Sequence, residues 1–287
     1  MADEWTAQDA ASLLREPTGS DDKYSRGVLG VRTGSQRYPG AAVLGVEAAW
    51  RTGLGMVRYL GPEHPTSLVL ARRPETVTAA GRVQAWLIGS GTDAAERTAA
   101  ETAALREILA GDEPVVVDAG ALDLAPAAHA PLVVTPHASE HAKLRAALGL
   151  SAPESSAETP EREAAAVETA AALGGVVLLK GAVTIVATPA GAVRTVAAPT
   201  AWLATAGTGD VLGGVLGALV AGAAARDQAG TDALDALGAL AATGAWVHGH
   251  AGAAAVERAG GGAVTALDVA EAVPAVVGGL LRAHRSS

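Results

Sequence analysis

A parallel, doubly wound α/β sheet is the architecture this chain predicts, and three features carry that expectation. Short apolar runs of strand length alternate with longer Ala-rich helical stretches, the order expected of βα units. The runs are apolar at both phases of the two-residue strand repeat, so helices must cover both faces of the sheet. Aromatics are only 3% of residues and Phe is absent, so Ala, Val and Leu must build a core of closely packed helices and strands. The 287 residues suit one large domain, 1–287, with no tandem repeat or linker dividing them.

In chain order, "AAVLGVEAAWRTG" reads as a helix followed by the strand "MVRYLG". The strand "AWLIGSG" then leads into the helix "DAAERTAAETAALREILAG", and "PVVVDAG" and "PLVVTP" are two further strands. "SAPESSAETP" is a polar surface connection, after which Thr159 caps and Pro160 opens a helix reaching Leu173. "VVLLKGAVTIVATPAGAVRTVA" breaks the alternation with short strands joined by Gly-containing turns, a hairpin-like set that finishes the sheet. From Asp210 onward the pattern is helical, ending in "ALGALAATGAWVHGHAGAAAVERAG" and "TALDVAEAVPAVVGGLLRAH".

Composition excludes several classes of function. A net charge of −9 argues against a nucleic-acid partner, since duplex binding needs a cationic surface to displace counterions. Without cysteine there are no disulfides or thiolate metal sites. The acidic start "MADEWTAQDAA" lacks the basic and apolar regions of a secretory signal, which points to the cytoplasm.

"LATAGTGDVLGGVLGALVAG" is the most informative stretch. Its uncharged run, 211–225, is shorter than the ~20 residues a bilayer requires, so it is no membrane span. Val211, Val215 and Leu219 form an apolar stripe and Gly213, Gly217 and Ala221 a small-residue stripe, the pattern of a helix buried on several sides. Gly207, Gly209 and Gly213 are spaced G-x-G-x-x-x-G, which is not the dinucleotide fingerprint. What remains is a nest of main-chain amides at a helix N-terminus, suited to a phosphate or a developing negative charge. Asp210 on its rim either caps the helix or abstracts a proton from a substrate hydroxyl.

Other constellations are weaker. Gly89, Gly91 and Ala94 match G-x-G-x-x-A after a strand, with Asp118 ending the next strand, so a dinucleotide turn and an ordinary strand-to-helix turn both stand. His137, Glu140 and His141 show the H-x-x-E-H spacing of inverted zinc proteases, but Pro136 puts His137 at a strand lip, against a shared helical face. His137 and Glu140 instead lie where α/β folds bind ligands, and His141 reads as a solvated helix residue. Lys180 ends a strand, where it is either exposed or a phosphate contact. His248 and His250 fall on opposite sides of a helix, so they are core or surface residues and not a metal pair.

In order and spacing these segments resemble the ribokinase-like NAD(P)H-hydrate dehydratases across almost the whole chain. The Tyr-Pro-Gly-Ala turn before the first long helix, "GSGTD", "VVVDAGALD", "VVTPHASEHAKL", "LLKGAVTIV" and "LATAGTGDVLGGVLGAL" are each similar to a family segment. Departures are Ser90 and Asp93 in the glycine turn, Gly120 and Asp123 in the acidic segment, and a missing Asn-Pro-Thr-Gly-Asn lead-in before the catalytic tetrad. The resemblance implies a three-layer α/β/α fold with a central, mostly parallel sheet. It also implies ADP- or ATP-dependent restoration of hydrated NADH or NADPH, the S form, by phosphorylation of a ring hydroxyl and elimination of phosphate.

By carry-over, Asp210 is the catalytic base, and Ala41, Gly91, His137 and Asp210 line the hydrated-cofactor site. Lys180, Gly181, Ala182, Val183, Thr184, Gly207, Thr208 and Gly209 hold the nucleotide, and Glu140 helps retain Mg2+. A homo-oligomer, often a tetramer, is implied, as is a chain without room for the epimerase domain many relatives carry. The rival readings are a kinase of the same superfamily acting on a small alcohol or vitamin precursor, a nucleotide-sensing module without turnover, and a Rossmann oxidoreductase.

Overall fold

The computed structural model describes residues 2–151, 153, 158–226 and 233–285. In chain order these form β1 (Asp3–Glu4), α1 (Ala7–Ser12), β2 (Val28–Arg32), α2 (Gly40–Thr52), β3 (Met56–Tyr59), α3 (Glu63–Arg72) and β4 (Ala85–Ile88). Next come α4 (Ala99–Leu109), β5 (Val115–Val117), a 3-10 segment (Ala119–Ala127), β6 (Leu132–Val134), α5 (Ala138–Ala147) and α6 (Thr159–Leu173). The remainder is β7 (Val176–Leu179), β8 (Val183–Ala187), β9 (Val193–Ala197), a second 3-10 segment (Ala201–Leu203), α7 (Thr208–Ala224), α8 (Ala233–Arg258) and α9 (Ala266–Arg285).

The strands make one sheet in the order β1-β9-β8-β7-β6-β5-β4-β2-β3. From β7 to β3 every neighbouring pair is parallel, while β7-β8 and β8-β9 are antiparallel. The hairpin set expected after residue 176 is therefore present, although β1 adds one more parallel strand outside it. Alternate strand residues feed two separate cores. Leu29, Leu87, Val116, Val133 and Leu178 pack under α2, α7, α8 and α9, whereas Ile88, Val117, Val134, Val177 and Ile185 pack under α4, α5 and α6. The sheet is the middle of three layers, and the apolar character of both phases follows from having helices on both sides.

Helix α7 runs against the sheet with every residue from Val211 to Gly222 buried, as its several apolar and small stripes require. It crosses α2 at unusually short range, because a Cβ on Gly214 would overlap the Gly45 carbonyl and would stand 2.9 Å from the Ala48 methyl. Among the described residues no helix is long and apolar enough to cross a membrane.

Four local expectations need correction. The helix expected from Asp93 starts at Ala99, because Thr98 accepts the Glu101 N–H at 3.1 Å and is its cap. Residues 93–98 are thus turns, the G-x-G-x-x-A stretch does not open a helix, and the dinucleotide reading loses its required context. The cap of α6 is Glu158, which exchanges a capping box with Glu161, and Thr159 and Pro160 are its first two residues. Part of the expected polar connection before it lies outside the described residues. Finally, β2 carries no strand expectation above, yet it sits between β3 and β4; Gly30 interrupts its apolar run because the Trp86 ring of β4 occupies the space of a side chain.

Candidate active site

The site lies at the carboxyl edge of the parallel strands, where β5, β6 and β7 stop and α7 begins. Gly207 is the residue before α7 and has φ +90°, a left-handed conformation that Gly adopts without steric cost. Thr208 donates its backbone N–H to Thr205 O at 3.3 Å, and Val211 donates to Gly207 O at 3.2 Å. The Gly209 and Asp210 amides between them have no backbone acceptor among the described residues. A helix start leaves such donors unpaired, and the macrodipole adds positive potential there. The Thr208 hydroxyl is committed to the Leu203 and Thr205 carbonyls at 2.7 and 2.9 Å, which closes the loop leading into the helix.

Asp210 is the third residue of α7. A capping role would show as a hydrogen bond to a first-turn amide, and none is made: Gly207 has no side-chain cap, and no described residue hydrogen-bonds to the Asp210 carboxylate. Burial pushes its pKa up to about 7, helped by the nearby Asp118 carboxylate and opposed by the Lys180 ammonium. A group titrating near neutrality is suited to taking a proton and giving it back.

Asp118 ends β5 and is buried at 3% exposure, with three partners. Lys180 Nζ and Thr135 Oγ1 donate to Oδ1 at 3.0 and 2.8 Å, and Ser90 Oγ donates to Oδ2 at 2.9 Å. The departure from the family pattern at Ser90 thus supplies one of the donors to this carboxylate. Those at Gly120 and Asp123 engage Arg97, which bridges the Gly120 carbonyl and the Asp123 carboxylate. Lys180, at the end of β7, is not a free surface residue: besides Asp118 it lies 3.8 Å from Glu140 Oε2 and 3.7 Å from where a Cβ on Gly209 would stand. The parallel register of β5, β6 and β7 brings these groups together from distant parts of the chain.

The residues expected to hold a nucleotide mostly share one cavity of about 460 Å3. His137, Lys180, Gly181, Ala182, Thr184, Thr208 and Gly209 line it, together with Thr200, Ala201, Leu203 and His248. Val183 and Gly207 are the exceptions. On β8 side chains alternate, so Ala182 and Thr184 face the cavity while Val183 does not; its carbonyl accepts from Arg162 at 3.3 Å. Gly207 lies just outside the wall, packed against Leu44.

The four substrate candidates are not gathered around that cavity. Gly91 and Ala41 touch, since a Cβ on Gly91 would overlap the Ala41 methyl. One turn further along α2, Gly45 abuts the Asp210 backbone. His137 stands apart on the nucleotide side as the cap of α5. Its Nδ1 accepts the Glu140 N–H at 3.3 Å while Glu140 Oε2 accepts the His137 N–H at 2.8 Å.

That capping box bears on the zinc spacing. His137 caps the helix, Glu140 is occupied by it, and His141 is buried at 1% exposure with Nε2 2.9 Å from Thr169 Oγ1. The expectation of a solvated His141 is therefore wrong: α5 turns it beneath α6, and burial, with Arg145 and Arg162 nearby, lowers its pKa to about 4. No cluster of three metal-binding side chains exists among the described residues. His250 stacks on Trp246 with ring centroids 3.6 Å apart, while His248 lies at the nucleotide cavity, so the two histidines form no metal pair. Sequence reasoning weighed Asp118 only as the acid of a dinucleotide turn and His248 only as a core or surface residue, and gave neither a place in this site.

Comparison with known proteins identifies the family. The family model described as NAD(P)H-hydrate dehydratase matches residues 29–275. A bifunctional NAD(P)H-hydrate repair enzyme Nnr of Mycobacterium tuberculosis is 45% identical over 227 residues, which cover 75% of this chain and 45% of the relative. The chain thus spans less than half the length of that relative. An ADP-dependent (S)-NAD(P)H-hydrate dehydratase of Neisseria meningitidis is 35% identical over 247 residues, covering 80% of this chain and 77% of the relative. The crystal structure of an ADP/ATP-dependent NAD(P)H-hydrate dehydratase from Bacillus subtilis, co-crystallised with ATP/Mg2+, superposes with a TM-score of 0.82 at 25% identity, covering 97% of this chain and 99% of that one. A ribokinase-like superfamily protein from Enterococcus faecalis shares the fold, with a TM-score of 0.78 at 20% identity over 97% of this chain and 96% of that one. With the amide nest, the unpartnered carboxylate and the strand-end lysine set in a ribokinase-like three-layer fold, the chain belongs to the NAD(P)H-hydrate dehydratase family.

Proposed function

We propose that this chain restores the S form of hydrated NADH and NADPH in a reaction that uses ADP or ATP. One observation carries the reading. Asp210 is a half-buried carboxylate without a hydrogen-bond partner among the described residues, beside free main-chain amides and the Lys180 ammonium. A carboxylate with a structural role is commonly paired, so an unpaired one opening beside free amides suits contact with a ligand.

In the proposed reaction the ring hydroxyl of the hydrated nicotinamide attacks the terminal phosphorus of the nucleotide, and Asp210 takes the hydroxyl proton. The bond between that phosphorus and the bridging oxygen breaks. The free Gly209 and Asp210 amides and Lys180 stabilise charge on the phosphoryl oxygens as it moves. The ring carbon–oxygen bond, its oxygen now carrying the phosphoryl group, then breaks with loss of a proton from the adjacent ring carbon, leaving inorganic phosphate and the dihydronicotinamide. Ala41, Gly91 and His137 would position the hydrated cofactor. Lys180, Gly181, Ala182, Val183 through its main chain, Thr184, Gly207, Thr208 and Gly209 would hold the nucleotide.

Glu140 fits an indirect magnesium contact. Mg2+ commonly keeps several waters and relies on substrate phosphates with only one or two carboxylates, and Glu140, 20% exposed and already capping α5, is one carboxylate near the nucleotide cavity. When bound, the ion supplies positive charge that neutralises the polyphosphate. The reading also expects a cytoplasmic homo-oligomer.

The test is incubation with hydrated NADH and ADP or ATP. Recovery of dihydronicotinamide absorbance that requires nucleotide and fails in Asp210→Asn supports the proposal. Recovery independent of nucleotide, or accumulation of a stable phosphorylated small alcohol in its place, overturns it.

A further inference from the structure

A second cavity lies at the far end of α7 from the amide nest. It opens between the segment that follows α1 and the carboxyl ends of α2 and α7, and Arg15, Arg26 and Arg226 all line it. At a rise of 1.5 Å per residue Arg226 stands about 24 Å along the helix from Asp210, so this cavity is no part of the site described above. Its apolar lining includes Leu14, Leu219 and Val277, and low-dielectric walls concentrate the field of the charges set beside them.

Those charges are unevenly satisfied. Arg15 donates to Asp21 Oδ2 at 2.6 Å, and Asp21 also accepts from the Thr18 N–H and from the Thr18 and Ser25 hydroxyls. Glu16 accepts from Arg285 at 2.6 Å. Both carboxylates on the wall are therefore taken. Arg26 donates through Nη2 to the Gly53 and Leu54 carbonyls at 2.9 and 3.3 Å, placing the cation that a helix C-terminus favours at the end of α2. Arg226 does no such work for α7. Its half-buried guanidinium has no hydrogen bond or ion pair among the described residues; Nε is sealed off, while Nη1 and Nη2 keep contact with solvent. Burial and the Arg15 guanidinium both press its pKa below the ordinary arginine value, with Asp21 opposing them. A cation so placed is costly without a partner, and an anion in the cavity would supply one.

Guanidinium forks match the oxygens of a phosphate and are weakly hydrated, so pairing sacrifices little solvation. The cavity encloses about 70 Å3, room for one such ion and not for a nucleotide. Gly222 shares its wall with Arg226, whose Nη1 would be 3.6 Å from a Cβ at that position. We propose that this cavity binds one free phosphate-sized oxyanion, with Arg226 as its principal partner and Arg15 and Arg26 adding charge, independently of the catalytic site.

Calorimetric titration of inorganic phosphate at fixed ionic strength into the wild type, Arg226→Gln, Arg226→Lys and Lys180→Met tests it. The amide nest also attracts phosphate, and Lys180→Met weakens that event alone. Arg226→Gln should weaken a second event about tenfold, the loss expected of a charge-assisted hydrogen bond. Arg226→Lys, which keeps the charge and loses the fork, should recover part of it, and Lys180→Met should leave it unchanged. AMP, too large for the cavity, should show no binding that depends on Arg226. Without phosphate, Arg226→Gln should melt at or above the wild-type temperature, since an unpaired cation has been removed. Phosphate binding indifferent to Arg226, an equal loss in Lys180→Met, Arg226-dependent binding of AMP, or a lower melting temperature of phosphate-free Arg226→Gln overturns the assignment.

Discussion

Two carboxylates, one buried and one half-buried, stand on the two helices that cross most closely, and the fold treats them in opposite ways. Glu47 on α2 is fully buried, with Arg51 Nε at 3.0 Å, Arg72 Nε at 3.3 Å and Arg73 in direct contact. Burial alone would raise its pKa, but the hydrogen bonds from Arg73, Arg51 and Arg72 outweigh that and hold the carboxyl below its ordinary range. Asp210 on α7 has no such partner, and burial takes it in the other direction, to about 7. The contrast separates a carboxylate that ties α2 to the end of α3 from one kept available to a reactant. Asp210 keeps some solvent contact where Glu47 has none, and beyond that they differ in the completeness of the partner set.

The largest effect that would sharpen the contrast is chemical. Asp210→Asn should lower turnover by about three orders of magnitude, the middle of the range for a lost general base, and change nucleotide affinity less than about threefold. Collapse of nucleotide binding, seen by calorimetry, would make Asp210 structural after all and erase the distinction. Glu47→Ala should do the reverse, lowering unfolding stability by about 3 kcal/mol, the low end for breaking a buried ion pair because its arginines keep some solvent contact. Denaturant titration measures this, and the pH profile of turnover should keep its position.

The pH dependence gives a finer test. Asp210 must be ionised to accept a proton, so kcat/KM should rise with pH along a limb centred near pH 7. Lys180 lowers that pKa, and Lys180→Met also leaves Asp118 without its cation, so the limb should move to higher pH in that variant. A limb that stays in place would show that Lys180 does not act on Asp210. The smallest effect is on stability. The folded-state pKa of Asp210 lies above its unfolded value, so the native state binds more protons between these values and stability falls as pH rises through them. Asp210→Asn should then melt about 2–4 °C above wild type at pH 8, with the gap closing by pH 5.

Legibility in the sequence followed the range of the interactions. Strands β3 to β9 and the buried character of α7 were readable because apolar periodicity is local, and so was the glycine nest. Strand β2 was not, because Gly30 exists to accommodate Trp86, a contact between residues distant in the chain. The chemistry behaved likewise. Asp210, Lys180 and Glu140 stood at element ends where ligands bind, so they could be nominated one by one. The joining of Asp118 to Lys180, Thr135 and Ser90 depends on which strands lie side by side, and strand order is not written in any single segment. His141 misled for the same reason, since its solvation depended on where α6 packed.

The near-contact of Gly214 with the Gly45 carbonyl places α2 and α7 at a separation set by backbone atoms. Ala41 and Asp210 ride on those two helices, so the gap between the surfaces expected to meet the hydrated ring is gauged by the same pair of glycines. A single methyl inserted at position 214 would wedge the helices apart and widen that opening by the same motion. Fit to the reactant and integrity of the scaffold are thus mechanically one variable in this protein, and selection on either constrains the other.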